Sequence, residues 1–144
     1  MRYLVLVSHG TFAPGLHNAL TMLAGSERED ILSTSLENGM SGDVFSENFK
    51  KLTDRITSED EVILMGDIIG GSPLTMAMNV LGENNLLDKT RVLGGMNLPM
   101  ALNGVLLKDD EEMELDMIIS SIITEARQTV KEFVLETKAD EDDI

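Results

Sequence analysis

The chain has 144 residues, 26 acidic against 11 basic side chains, a formal charge of −15, two histidines and no cysteine. That length can bury a core within one domain, while the missing cysteines exclude disulfides, thiol nucleophiles and thiolate metal sites, and two histidines are poor material for structural zinc. The acidity argues against nucleic acid and anionic lipid as partners, because both are bound through clustered lysine and arginine.

The first predicted element is a strand within the apolar run that starts at Tyr3 and includes Val5 to Val7, the pattern of a strand covered on both faces. This run is too short for a signal peptide and lacks a small-residue cleavage site. No apolar run approaches the roughly 18 to 20 residues of a membrane span, so a cytoplasmic setting is expected. Leu16, Ala19, Leu20 and Leu23 then recur at helical spacing, with Pro14 in the first turn and Gly25 as the stop. "ILSTSL", Ile31 to Leu36, alternates enough polar residues to predict a strand near a sheet edge. After the turn-like "ENGMSGD" a second helix carries Phe45, Phe49, Leu52 and Ile56 on one face.

"EVILMGD", Glu61 to Asp67, is the second strongly buried strand. In the "IIGGSPLTMAMNVL" that follows, Ser72 is expected to cap a helix through its hydroxyl, with Pro73 at its first position. "TRVLGGMNLPM" supplies a short fourth strand ending near Met96. An acidic run leads into a last helix marked by Leu115, Ile118, Ile119, Ile122 and Ala126. "VKEFVLET", residues 130–137, fits either an extension of that helix or a final strand. One domain over residues 1–137 and an acidic, solvated tail over 138–144 account for the chain.

Strand alternating with helix predicts an α/β fold: an open, mainly parallel sheet with helices on both faces. With the common 2-1-3-4 strand order, His9 and Asp67 meet in the crevice outside the carboxyl ends of adjacent strands. A carboxylate that accepts a hydrogen bond from one imidazole nitrogen fixes the tautomer and leaves the other nitrogen's lone pair free to attack. A phosphoryl group arriving there meets Gly70, Gly71 and Ser72, where amides at a helix start favour anions. Phosphoryl transfer needs mainly alignment and charge stabilisation, so neither a cofactor nor a metal is expected. On these residues alone each piece also has a structural reading: a hydrogen-bonded histidine, an aspartate serving loop amides, an ordinary helix entry. His17, inside the first helix, is assigned a structural or solvent-facing role, and the methionines a core-filling one.

"SHGTFAPGL", "MGDIIGGSPLTMA" and "GGMNLPM", in this order, resemble the mannose-family IIA domains of the bacterial phosphoenolpyruvate-dependent sugar phosphotransferase system. The resemblance implies a phosphotransferase that works as a phosphocarrier: His9 accepts the phosphoryl group of phospho-HPr, through Nε2, and passes it to a IIB component serving the membrane IIC/IID permease. It implies that Asp67 orients the ring through Nδ1 and that Ser72 belongs to a phosphate loop. Where the family commonly has Leu-Phe before the glycine pair, this chain has Ile68-Ile69. The resemblance further implies a homodimer, in some members with an exchanged C-terminal strand, for which residues 130–137 stand in the right place, and a IIB partner on a separate polypeptide or outside this chain.

The nearest rival is the phosphocarrier subunit of a dihydroxyacetone kinase; the "GTFAPGL" and "GGMNLPM" blocks favour the sugar system. A flavodoxin-like binder is disfavoured by an aromatic content of 3% and the lack of a Gly-x-Gly-x-x-Gly turn. A receiver domain is disfavoured because Ser8-His9 stands where its acidic magnesium cluster belongs.

Overall fold

Alternate residues of the first strand, β1 (Arg2–His9), enter two different cores. Leu4 and Leu6 join one; Tyr3, Val5 and Val7 join the other; all are buried. A strand buried on both faces needs no polar alternation, which is why this stretch reads as one apolar run. A computed structural model of the protein describes residues 1–136. The acidic tail expected over 138–144 lies outside the described residues.

β1 runs parallel between β2 (Ile31–Leu36) and β3 (Glu61–Gly66), and β4 (Thr90–Leu93) completes the expected order β2-β1-β3-β4. The register pairs His9 with Leu36 on one side of β1 and Val7 with Gly66 on the other. Asp67 therefore leaves β3 beside the end of β1. Helices α1 (Phe12–Ala24), α4 (Leu98–Lys108) and α5 (Leu115–Thr129) cover one face of the sheet. Helices α2 (Gly42–Leu52) and α3 (Ser72–Glu83) cover the other, where the Phe45 and Phe49 rings stack at 6.2 Å. The chain thus leaves β1 toward one face and β3 toward the other, opening the crevice between them.

Several local expectations are corrected. α3 starts at Ser72 rather than after it: Gly71 is the capping residue, Pro73 falls within the first turn, and no side chain caps the helix. The cause is backbone: Gly70 turns the chain at φ +82° and Gly71 is already extended, so the helical conformation begins one residue early. α2 ends at Leu52, and Ile56 reaches the same core from the turn beyond. α4 is a helix that the sequence pattern does not predict. Its start is signed by Asn97, whose side chain accepts the Met100 N–H at 2.9 Å, and by Pro99 in the first turn, a standard helix entry. Val130 ends α5 in an extended conformation, and residues 131–136 are neither helix nor strand. The segment neither extends α5 nor adds an antiparallel strand within its own chain, and Thr137 lies outside the described residues.

At the far end of the sheet from His9, the buried ammonium of Lys108 is paired with Asp30 and with Asp109. Arg28 meets Asp30 at 2.7 Å and Asp109 at 2.8 Å. The four charges join the end of α4 to the entry of β2, and mutual pairing is what permits an almost fully buried lysine.

Candidate functional site

His9 is the last residue of β1, and the approach to it is shaped by Ser8. The Ser8 side chain is fully buried, and its Oγ accepts the Ala13 N–H of α1 at 2.6 Å. One of the unpaired donors of the helix start is thereby tied back to the strand. The intervening turn is tied to the end of β2 by Gly10 N–H donating to Leu36 O at 2.9 Å. Sequence reasoning gave Ser8 no structural task. Its one signal was a hydroxyl inside an otherwise apolar run.

Asp67 Oδ2 receives two hydrogen bonds from His9, one from the backbone N–H at 2.9 Å and one from ring Nδ1 at 2.9 Å. Its Oδ1 receives the Ile68 N–H at 3.0 Å. Burial alone raises the carboxyl pKa, but these bonds, led by the His9 backbone N–H, more than offset it and hold Asp67 below the usual carboxylate range. An ionised carboxylate only accepts hydrogen bonds. Nδ1 must therefore carry a proton, and in the neutral ring the lone pair resides on Nε2. The imidazole is close to half exposed whereas Asp67 is 15% exposed, so the orienting group is shielded and the reactive group is reachable.

The loop from Asp67 to Ser72 wraps the ring. Gly71 N–H donates to Ile68 O at 3.2 Å and so is engaged in closing the turn. What Gly71 supplies is room: a Cβ on it would stand 2.9 Å from His9 Cε1. The exposed Ser72 follows at the first position of α3, where the N–H groups of a helix start favour an anion. The other sequence-predicted residues, His9, Asp67, Gly70 and Gly71, converge on the same loop pair. His17 is engaged elsewhere, its Nδ1 at 2.7 Å from Ser33 Oγ, joining α1 to β2.

Around the site, Phe12, Ile68 and Ile69 expose apolar side chains. Beside Ile69 an apolar groove of about 390 Å³ runs along β4, lined by Val92, Gly94, Met100, Ile123 and Val130. A larger cavity of about 590 Å³ lies at the opposite end of the sheet among Arg2, Asp30, Glu61 and Lys108. It is away from the imidazole, and the Arg2 and Lys108 cations in it are already paired with carboxylates. No helix of the described residues is long and apolar enough to cross a membrane.

A family model described as PTS system fructose IIA component matches residues 3–123. The PTS system fructose-specific EIIA component of Bacillus subtilis (strain 168) is 24% identical over 125 residues, 87% of this chain and 82% of that protein. The structure of phosphotransferase system component EIIA from Streptococcus agalactiae superposes with a TM-score of 0.78 at 25% identity, over 92% of this chain and 98% of that one. The mannose/sorbose specific IIA subunit from Enterococcus faecalis shares the fold, with a TM-score of 0.77 at 20% identity over 94% and 97% of the two chains.

Proposed function

Because the chain belongs to the mannose- and fructose-type IIA components of the sugar phosphotransferase system, we propose that it is a phosphocarrier whose acceptor is Nε2 of His9. The observation that carries this reading is the 2.9 Å contact between His9 Nδ1 and Asp67, which leaves the lone pair on Nε2 of a ring that is close to half exposed. In the forward step that lone pair attacks phosphorus of phospho-HPr. The bond from phosphorus to the donor's ring nitrogen breaks, and that nitrogen keeps the electron pair. Asp67 stabilises the cationic character His9 gains, and the helix start at Ser72 accommodates the phosphoryl oxygens. The same steps in reverse deliver the group to a IIB component, and through it to the membrane permease. No metal and no cofactor takes part, and both partners are met in the cytoplasm.

Incubation with phosphoenolpyruvate, enzyme I and HPr is expected to add one acid-labile, base-stable phosphate, and His9→Ala to abolish it. Unchanged labelling of that variant contradicts the assignment.

The same reading includes a homodimer built through the C-terminal segment. β4 is an outer strand of the sheet, and Val130, Phe133, Val134 and Leu135 are each about three-quarters or more exposed. An open strand edge and an uncovered apolar segment answer each other across two copies. Light scattering is expected to give a dimer for the whole chain and a monomer once residues 130–144 are removed. A monomeric whole chain rules the dimer out.

A further inference from the structure

The block "GGMNLPM" lies outside the acceptor loop, yet two contacts join them. Met96 N–H donates to Gly66 O at 3.0 Å, tying the turn after β4 to the residue before Asp67. Ile69, near the tip of the acceptor loop, lies directly over Gly94: a Cβ on Gly94 would stand 2.0 Å from Ile69 Cγ1 and 2.7 Å from its Cδ1. Gly94 is not among the glycines with positive φ, so its backbone accepts alanine, and only Ile69 forbids one. Ile69 is mostly exposed. Little burial is at stake in the contact, and its consequence is positional. The loop is bounded on one side by the His9 ring, through Gly71, and on the other by Gly94, through Ile69.

We propose that Gly94 is a positioning residue for phosphoryl transfer: its missing side chain lets Ile69 seat the Asp67–Ser72 loop against His9. Adding a methyl group at 94 lifts Ile69, carries Asp67 and Ser72 with it, and loosens the carboxylate from Nδ1. This inference rests on the phosphocarrier reading for its effect on rate, but not for its effect on the ring.

The test is a double-mutant cycle on the whole chain: wild type, Gly94→Ala, Ile69→Ala and the double variant. Two quantities are read, the initial rate of labelling from phospho-HPr and the 15N resonances of the His9 ring, which report its tautomer. Gly94→Ala is expected to slow labelling about tenfold or more, as displacements of under an ångström at a reacting centre do. It should also weaken the Nδ1–H signature. In the Ile69→Ala background, where Cγ1 and Cδ1 are gone and only Cβ, at 3.3 Å, still faces the added methyl, the same substitution is expected to change either readout less than about twofold. A Gly94→Ala protein that matches wild type in both overturns the proposal, because Ile69 then simply swings aside. So does an effect that persists undiminished without Ile69. If Gly94→Ala folds too poorly to purify, the double variant decides: it must behave as Ile69→Ala, and a double variant that also fails to fold overturns the proposal. If the wild type takes no phosphate, the phosphocarrier reading fails, while the ring resonances still judge this inference.

Discussion

Substituting Gly71 by alanine separates catalysis from folding more cleanly than removing a reacting group. The new methyl would stand 2.9 Å from His9 Cε1. Carbon atoms in comfortable contact are about 3.5 to 4.0 Å apart, so ring and loop must part by roughly 0.6 to 1 Å. The nearest constraint is the 2.9 Å bond between Nδ1 and Asp67, which a separation of that size stretches to roughly 3.5 to 3.9 Å, beyond the range of a sound N–H···O bond. The expected loss in transfer rate is about a hundredfold, the usual consequence of ångström-scale misplacement. Stability should change by less than about 1 kcal/mol: Gly71 sits at φ −75°, ψ 157°, a conformation open to alanine, and only a modest capping preference is lost. Initial rates of phosphate transfer from phospho-HPr, paired with urea unfolding of the same preparations, make the comparison. A Gly71→Ala protein that transfers at the wild-type rate refutes the reasoning, as does one whose lost activity tracks lost stability.

Asp67→Asn keeps the shape of the side chain but removes the charge that stabilises a cationic ring, and it should slow transfer by about 10²- to 10⁴-fold while the protein stays folded; wild-type kinetics would remove Asp67 from the mechanism. Ser8→Ala leaves the buried Ala13 N–H without its acceptor and should cost about 1 to 3 kcal/mol in urea unfolding, with Ser8→Thr retaining most of the stability; an unshifted midpoint for Ser8→Ala contradicts the tie drawn between strand and helix. For acid stability the sign follows from Asp109, held at about 2 chiefly by its bond from Arg28, against 3.8 unperturbed. Between these values the unfolded chain binds more protons than the folded one, so this contribution is present above about pH 4 and fades as pH falls toward 2. Asp109→Asn should flatten the stability profile across that interval, and a profile as steep as wild type would show that other carboxylates carry it.

The central strands, their order and the meeting of His9 with Asp67 were legible because burial on both faces imposes an unmistakable apolar pattern and parallel α/β topology places strand ends together. Less was legible where a residue's task depends on what approaches it. Ser72 reads as a cap because serine before Pro73 commonly is one, yet the turn at Gly70 starts the helix a residue sooner. α4 escaped because Asn103-Gly104 interrupts it like a turn and its residues are apolar on more than one face. The closeness of Gly71 to the ring, and of Gly94 to Ile69, is invisible in one dimension. A glycine records that space was needed without saying by whom.

The measurement that bears most directly on the central claim is the identity of the phosphorylated atom. In protein labelled with 15N and loaded from phospho-HPr, 31P–15N coupling identifies the ring nitrogen that carries the group. With Nδ1 held by Asp67, the phosphoryl group is expected on Nε2 of His9. Phosphate on Nδ1, or on another side chain such as Ser72 or Asp67, would contradict it.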